Sequence, residues 1–309
     1  PLSLRATMTN PGRGPVSDIA FSPSGTTLAA TDNAHAAASS QNAATMWNTA
    51  TGSEIGSFPY AGLGNGVAFS PDGGTLAIAG ADLYVWNVAS HANIAYLPSV
   101  SPQSVAFGRD GSTLAVGGRR NSTSSEEVGV LNVATRQWTA TLPGLTRNSY
   151  VSALAFAPDG RTLAASDSAN GVLYVWNVAG RNLLTTPVPL TASTGPLAFS
   201  PDSGTLAVSD GGTGGVRLWD VPSRAWGTTL TGPQSKGVRG IAFSPDGKTL
   251  AVADANGTVD LWDTASGKLT ATQQVNAKGA DAIAFSPDGK TLATGDGSGQ
   301  IKLWAVSGH

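Results

Sequence analysis

Short segments in which every second residue is apolar recur along the chain at intervals of 38 to 49 residues. Each contains Ile, Val or Leu, then Ala, then Phe, so the first residue and the Phe lie on one face of a β-strand. Thr-Leu-Ala begins six residues after each of these Phe residues and predicts a second strand. The seven copies are centred on Phe21, Phe69, Phe107, Phe156, Phe199, Phe243 and Phe285. Such repetition indicates that the chain is built from internal repeats.

The residues between the two strands predict a tight turn. In the sixth copy, Ser244–Gly247 reads Ser-Pro-Asp-Gly. Pro suits the first corner of a type I turn, Asp suits the second, and Gly suits the left-handed position that follows. A third strand ends in Trp in six of the seven copies, as at Val259–Trp262, whereas the third copy has Leu131 there. A fourth strand is expected after a short turn, as at Lys268–Thr272.

This pattern resembles the WD40-repeat family of β-propellers. Four short strands per repeat of about 44 residues, with turn residues and a Trp, are typical of one propeller blade. The Trp-Asp pair of the family occurs at Trp219-Asp220 and at Trp262-Asp263. The seven repeats therefore predict an all-β fold, a seven-bladed β-propeller with four antiparallel strands per blade, which forms a single domain over residues 1–309.

The two ends of the chain are expected to close the ring. The last repeat stops after its third strand, Ile301–Trp304, whereas a strand-like segment at about residues 2–8 precedes the first repeat. The resemblance implies that this N-terminal strand completes the last blade, which leaves no open edge between the first and last blades. We therefore predict that it pairs with the strand containing Trp304, and that deletion of residues 1–9 strongly destabilises the domain.

Five repeats depart from the family in a way that predicts a hydrogen bond. They carry Asp eleven residues after the Phe, where the resemblance implies Ser or Thr, and all five also have the Trp. A buried indole N–H needs an acceptor, so we predict that each Asp accepts directly from the Trp of its own blade. The predicted pairs are Asp32 with Trp47, Asp167 with Trp176, Asp210 with Trp219, Asp254 with Trp262, and Asp296 with Trp304. The alternatives are exposed turn Asp residues, or calcium sites, which are disfavoured because Ca²⁺ needs several converging oxygens.

Two long loops predict where a partner binds. The connection between the second and third strands is long in blades 1 and 3 and shortest in blade 2 between them, so the two loops form ridges around a notch. Function usually resides in loops on a rigid scaffold. The blade 1 loop contains His35, and the blade 3 loop contains Arg119, Arg120, Glu126 and Glu127. The alternative is a flexible polar insertion without a partner, because surface loops tolerate added length at little cost.

A second candidate site is the mouth of the central channel. The residues that enter the first strands there are polar and of mixed charge, and they include Asn65, Gln103, Arg239 and Asp281. The alternative is that these residues are solvated strand ends. Two further Trp residues, Trp138 and Trp226, lie outside the blade pattern and each follows an Arg by two positions. They are either interface anchors or residues packed along the outer strands beneath an Arg.

The composition argues against several classes of function. Charged residues are 12% of the chain and the net charge is −2, which argues against a nucleic-acid binder. The chain has no Cys, hence no disulfide and no thiolate metal site. Its three scattered His residues leave few nucleophile–base pairs, so we expect no enzyme activity, no cofactor and no metal. No apolar run reaches 18 residues, so we expect no direct membrane insertion.

The resemblance implies a non-catalytic scaffold or recruitment domain that binds a protein or peptide. The chain resembles the WD40 domains of bacterial multidomain signalling proteins, and its Ala-, Gly- and Arg-leaning composition fits such a source. Because the chain begins with Pro1, we expect a fragment of a larger protein, cytoplasmic or extracytoplasmic, that is monomeric when isolated. The alternatives are an extracytoplasmic ligand-sensing domain of a membrane-anchored receptor or kinase, and a structural propeller used for oligomerisation.

Overall fold

The fold of the chain is a ring of seven β-sheets. The structure is a computed structural model that describes residues 2–10, 14–33, 42–98, 100–120, 125–233 and 236–307. The described residues form seven antiparallel sheets, each of which is one blade, and contain no helix. The predicted all-β, seven-bladed propeller with four antiparallel strands per blade is therefore confirmed. Within these ranges no helix is long and apolar enough to cross a membrane.

The strands of blades 1 to 4 follow the order of the repeats. The chain begins with β1 (Leu2–Thr9). Blade 1 contains β2 (Val16–Phe21), β3 (Thr27–Asp32), β4 (Asn42–Asn48) and β5 (Glu54–Tyr60). Blade 2 contains β6 (Gly66–Phe69), β7 (Thr75–Ala79), β8 (Leu83–Asn87) and β9 (Asn93–Leu97). Blade 3 contains β10 (Val100–Phe107), β11 (Thr113–Arg120), β12 (Glu126–Asn132) and β13 (Gln137–Leu142). Blade 4 contains β14 (Val151–Phe156), β15 (Thr162–Asp167), β16 (Val172–Asn177), β17 (Asn182–Leu183) and β18 (Val188–Pro189).

Blades 5 to 7 complete the ring in the same order. Blade 5 contains β19 (Leu197–Phe199), β20 (Thr205–Asp210), β21 (Gly215–Asp220) and β22 (Ala225–Leu230). Blade 6 contains β23 (Val238–Phe243), β24 (Thr249–Asp254), β25 (Thr258–Asp263) and β26 (Lys268–Gln274). Blade 7 contains β27 (Ala282–Phe285), β28 (Thr291–Gly295) and β29 (Gln300–Val306), and its fourth strand is β1.

The residues that recur in every repeat determine the register of the strands and form the core. Phe243 on the first strand of blade 6 lies opposite Leu250 on the second, and Leu250 lies opposite Trp262 on the third. The equivalent Leu is fully buried in every blade, at Leu28, Leu76, Leu114, Leu163, Leu206, Leu250 and Leu292. The apolar clusters join neighbouring blades, as Val130 of blade 3 packs in one cluster with Leu163 of blade 4. The core therefore lies between the sheets, and each blade is stabilised by the next one.

The turns between first and second strands are held by their own side chains. In blade 2, Ser70 Oγ donates to Asp72 Oδ1 at 2.5 Å and accepts from the N–H of Thr75 at 2.9 Å. Gly73 has a φ of 73°, the left-handed conformation that the sequence predicts at this position. The turn also meets the neighbouring blade, because a Cβ at Gly73 would lie 3.4 Å from Cδ of Pro23.

The N-terminal strand closes the ring, as the sequence predicts. Strand β1 pairs antiparallel with β29, and Leu4 lies opposite Trp304. The pairing includes one irregularity, between Leu4 and Ala6. Leu2 and Met8 are buried at the two ends of the strand. The last blade therefore has four strands, and the first and last parts of the chain share one sheet.

Blades 3 and 4 depart from the regular pattern. In blade 3, β10 and β11 each have eight residues, and their pairing extends to Val100 opposite Arg120. The described part of the long loop thus continues the sheet, which gives the predicted blade 3 ridge a β-structure. The blade 1 loop, with His35, lies outside the described residues. In blade 4 the outer strand consists of the two short pieces β17 and β18, which pair with opposite ends of β16.

Candidate functional site

The first strands of all seven blades line a central channel. The channel contains a cavity of about 360 Å³. Asn65, Arg239 and Asp281, which the sequence places at the channel mouth, line this cavity. Each lies four residues before the Phe of its blade, as do Ser17 and Ser152, which also line it. The same position faces the channel in several blades because the first strands meet around one axis.

Asp18 is a channel residue that the sequence analysis missed. It lies three residues before Phe21, where no other blade carries an ionisable residue. Its Oδ2 accepts from the N–H of Val67 in blade 2, and its Oδ1 accepts from the N–H of Ile19, both at 2.9 Å. Burial raises the pKa of Asp18 to about 6, although these two N–H groups oppose the shift. An alignment of the seven repeats around the Phe would have found this residue.

Arg239 and Asp281 place opposite charges at the channel mouth. Arg239 is exposed at the start of blade 6, and Asp281 is half-buried at the start of blade 7. Burial raises the pKa of Asp281, whereas the positive charge of Arg239 acts to lower it. Asn65 is fixed on the other side of the channel, because its Nδ2 donates to the carbonyl oxygen of Pro102 at 2.9 Å. The mouth therefore combines fixed polar groups with one exposed cation.

An exposed tyrosine extends the channel mouth over blades 3 and 4. Tyr150 is 42% exposed and directly precedes the first strand of blade 4. Its hydroxyl donates to Oε1 of Gln103, the predicted channel-mouth residue of blade 3, at 2.6 Å. Burial of part of the side chain raises the pKa of Tyr150, and the charge of Glu126 adds to this rise. The sequence signal for Tyr150 was its position immediately before a blade's first strand.

Glu126 has a different role from the predicted one. It is 4% exposed in β12, and its Oε2 accepts from the N–H of Val151 in blade 4 at 2.6 Å. Burial raises the pKa of Glu126, and the N–H of Val151 and the charge of Arg119 act against this rise. The prediction of Glu126 as an exposed partner-binding residue is therefore corrected, because its carboxylate joins blades 3 and 4. The loop is shorter than expected, since β12 begins at Glu126 itself.

The remaining residues of the two predicted ridges differ in their surroundings. Arg119 is exposed near the end of β11. Glu127 is half-buried in β12. Arg120 ends β11, and its side chain lies outside the described atoms, as does the whole of His35. Of the predicted ridge, the described structure brings Glu126 and Arg119 close to Tyr150: the charge of Glu126 acts to raise the pKa of the tyrosine, and the charge of Arg119 acts to lower it.

The predicted direct bonds between Asp and Trp are wrong where the indole partner is identified. Trp304 Nε1 donates to Thr294 Oγ1 at 3.0 Å, and Trp176 Nε1 donates to the carbonyl oxygen of Pro143 at 2.8 Å. In all five blades the Trp lies opposite the Leu four residues before the Asp, which is about 13 Å along the strand. The separation along the strand explains why Asp296 and Asp167 are not the acceptors.

The Asp residues instead hold the chain segments near the entrance of each blade. Asp254 accepts from the N–H of Lys236 with both carboxylate oxygens at 3.0 Å. Asp167 Oδ1 accepts from the N–H of Tyr150 at 2.9 Å. Asp32 accepts a hydrogen bond from Asn10 Nδ2 at 2.7 Å, and Asp210 accepts one from Thr191 Oγ1 at 2.5 Å. Asp296 accepts from the main-chain N–H groups of Ser298 and Gln300 in its own turn. Among the described residues no three acidic or His side chains gather as metal ligands would.

The two extra Trp residues pack along the outer strands. Trp226 is half-buried, and the guanidinium carbon of Arg217 lies 4.0 Å from its ring centroid. The arginine over the ring therefore comes from the neighbouring strand β21, and Arg224 instead adopts a positive φ of 55° in the preceding turn. Trp138 is half-buried against the apolar cluster of blades 2 and 3. These contacts favour the packing role over that of interface anchors.

Comparison with known families agrees with this geometry. Residues 137–177 and 267–305 match the family model described as WD domain, G-beta repeat. Residues 215–280 match the model described as the anaphase-promoting complex subunit 4 WD40 domain. A comparison with curated proteins found no match. The matched segments lie within residues 137–305, which include the last three repeats, the most regular in length.

Proposed function

Because this chain is a seven-bladed β-propeller with WD40 repeats, we propose that it is a non-catalytic scaffold that binds a protein or peptide at the end of the ring where the channel mouth lies. WD40 propellers commonly mediate protein interactions and are generally non-catalytic. We place the main contact at Tyr150 and Arg119, beside the channel mouth. The larger setting that we propose is a bacterial multidomain signalling protein, in which this domain recruits and a neighbouring domain does the chemistry.

The observation that carries this proposal is the exposed but fixed position of Tyr150. Its main-chain N–H is held by Asp167, and its hydroxyl donates to Gln103. The N–H of the next residue, Val151, is held by Glu126. A side chain fixed before binding loses little conformational entropy when a partner arrives. Tyr and Arg are the residue types that most often dominate binding energy at protein interfaces, so Tyr150 with Arg119 fits such an anchor.

The ionisable groups near the channel support a non-catalytic role. Asp18 and Glu126 have raised pKa values, but each carboxylate accepts main-chain N–H groups, including one from the next blade. These bonds join blade 1 to blade 2 and blade 3 to blade 4. Their raised pKa values follow from burial in the joints between blades, which is a structural cause.

A peptide selection tests the proposal while the natural partner is still unidentified. A phage-displayed random peptide library is selected on the whole chain, and the affinities of the selected peptides are measured for Tyr150→Ala and Arg119→Ala. We expect each variant to weaken binding by about tenfold or more, as truncation of an interface anchor does. Tyr96→Ala is the matched control, because Tyr96 is 52% exposed on the outer strand of blade 2. Equal binding to the Tyr150→Ala variant and to the wild type would contradict the proposed site.

A further inference from the structure

A second cavity opens between blades 5 and 6, beside the channel mouth. Its volume is about 270 Å³. Its walls come from the segment that enters blade 5, from the end of the second strand of blade 5, and from the segment that enters blade 6. Gly195 and Arg239 line both this cavity and the central channel, so the two open side by side.

Several of the residues that line this cavity are glycines. Gly214 and Gly237 both line it and have positive φ angles of 66° and 122°. A Cβ placed on either residue would meet no other atom within 4 Å. A side chain at either position would therefore extend into open space, and the positive φ angles favour glycine at both. Drug-sized ligands occupy pockets of about 300–1,000 Å³, so this smaller cavity suits a single chemical group.

The charges around the cavity are predominantly positive at its exposed parts. Lys236 and Arg239 line it and are exposed. Asp210 also lines it, and its carboxylate is buried: Oδ2 lies 3.5 Å from Arg217 Nη1 and has no hydrogen-bond partner among the described residues. Its Oδ1 accepts from the hydroxyl of Thr191 at 2.5 Å. The two exposed cations are thus the charges with which an entering group would pair.

Two neighbouring carboxylates, those of Asp254 and Asp281, are not among the residues that line the cavity. Asp254 binds the main-chain N–H of Lys236 and is not among the residues that line the cavity. Asp281 interacts with Arg239 from blade 7 and lines the central channel. Asp210 is therefore the one carboxylate among the residues that line the cavity, and an anion between Lys236 and Arg239 would face the two exposed cations.

Hydroxyl groups add neutral donors to the cations. Ser193 and Ser209 line the cavity. Ser209 Oγ accepts from the N–H of Gly195 at 2.7 Å, and a hydroxyl that accepts one bond still has a proton to donate. Cations together with hydroxyl donors are the groups with which proteins hold phosphate oxygens.

We propose that the cavity between blades 5 and 6 binds a phosphate group, held by Lys236 and Arg239 with the serine hydroxyls as further donors. The phosphate is either free or carried on a side chain of a bound partner. The phosphate site goes beyond the proposed scaffold function and does not depend on Tyr150, because inorganic phosphate alone tests it.

The first experiment uses inorganic phosphate and the whole chain. Amide ¹H–¹⁵N spectra are recorded during a phosphate titration at constant ionic strength, with chloride as the reference anion. We expect saturable shifts at the amides of Gly214 and Gly237, and at least a tenfold weaker affinity in Lys236→Gln combined with Arg239→Gln. Lys290→Gln is the control, because Lys290 lies in the turn between the first and second strands of blade 7. Shifts that do not saturate, or that are equal in the double variant, would overturn the site.

A second pair of variants separates charge from folding. Asn and Asp tolerate the left-handed conformation of Gly214 and have the same size. Gly214→Asp is expected to abolish phosphate binding, because the added carboxylate repels the anion. Gly214→Asn adds no charge, so its affinity for phosphate is expected to stay within about threefold of that of the wild type if the side chain leaves the cavity open. Thermal melts of both variants report on the fold independently. Equal binding by the two folded variants would contradict an electrostatic site.

A third comparison identifies the source of the phosphate. A phosphoserine peptide library and its unphosphorylated counterpart are selected on the same chain. Phosphopeptides that bind at least tenfold more tightly than inorganic phosphate, and that lose this advantage in Lys236→Gln, assign the cavity to a phosphorylated partner. Phosphopeptides that bind no more tightly than inorganic phosphate exclude the phosphorylated partner and assign the cavity to the free anion. Failure of the Tyr150→Ala test leaves all three of these measurements unaffected.

Discussion

Replacement of Thr294 by Val removes a single hydroxyl from the core of the last blade. Thr294 Oγ1 accepts from Trp304 Nε1 at 3.0 Å, and the two residues are only 4% and 6% exposed. Val has nearly the shape of Thr, so the packing of the blade is retained. The change leaves the indole N–H without its acceptor inside the sheet that also holds the N-terminal strand.

The expected loss follows from the burial of the indole. An unsatisfied buried donor costs about 1–3 kcal/mol, and removal of the buried hydroxyl recovers part of this amount. We therefore expect Thr294→Val to lower the free energy of unfolding by about 1–2 kcal/mol. Blade 2 shows that the fold tolerates one such defect. Trp86 Nε1 is buried there without a hydrogen-bond partner among the described residues, and Ile78 occupies the position equivalent to Thr294.

A double-mutant cycle measures this bond. Urea denaturation followed by circular dichroism gives the free energy of unfolding for the wild type, Thr294→Val, Trp304→Phe and the double variant. Because Phe has no N–H group, Thr294→Val should be close to neutral in the Phe background. A coupling energy of about 1 kcal/mol or more is expected. A coupling energy below about 0.3 kcal/mol would refute the assignment of Thr294 as the acceptor.

Three further changes test other parts of the structure. Asp254→Ala removes the acceptor of the Lys236 N–H and is expected to lower the free energy of unfolding by about 1.5–3 kcal/mol, measured by urea denaturation; an effect within experimental error would contradict the role of this carboxylate. The pKa of Asp18 is raised from 3.8 to about 6 in the folded protein, so the stability that this group contributes is full below pH 3.8 and is lost as the pH rises through about 6. Asp18→Asn should remove this loss, so the free energy of unfolding of the variant relative to the wild type should rise by up to about 3 kcal/mol between about pH 4 and pH 7. A difference between the two proteins that does not change with pH would be evidence against the raised pKa of Asp18. Deletion of residues 1–9 removes β1 from the last blade and is expected to abolish the cooperative thermal transition, whereas a melt like that of the full chain would show that the ring is stable without this strand.

The sequence predicted the fold well because every blade carries the same physical signals. The alternation before each Phe, the turn at Ser244–Gly247 and its equivalents, and the Trp of the third strand all specify the same hairpin register. The role of strand β1 followed from counting, because each of the first six repeats has its own fourth, outer strand, which is split in two in blade 4, whereas the last repeat supplies only three strands. In contrast, the split outer strand of blade 4 has no such signal, although Pro187 and Pro189 mark its second piece.

The prediction of direct Asp–Trp bonds was wrong because it used the positions of the residues within each repeat without the register between the paired strands. Co-occurrence of Asp254 with Trp262 in one repeat suggested a contact, but the hairpin register places Trp262 opposite Leu250 instead. The correct acceptor in blade 7 has its own sequence signal. Thr294 lies nine residues after Phe285, where the other repeats have Ala, Ile or Val. The register between the second and third strands, which places Trp304 opposite Leu292, shows that Thr294 is diagonal to the Trp.

The candidate site was predicted in part. Asn65, Arg239 and Asp281 were identified because the start of the first strand faces the channel in most blades. Glu126 and Tyr150 depend on how blade 3 meets blade 4, which is a contact between repeats. A repeat pattern describes one blade at a time, so it contains no information about such contacts.

Hydrogen–deuterium exchange of the chain with and without a library-selected peptide tests most directly where a partner binds. We expect slower exchange in the segments that hold Gln103 and Tyr150 and at the start of β23 with Arg239. The outer strands, such as β26 at Lys268–Gln274, should exchange as in the free chain. Protection confined to the outer strands, with no change around Tyr150, would contradict a binding site at the channel mouth.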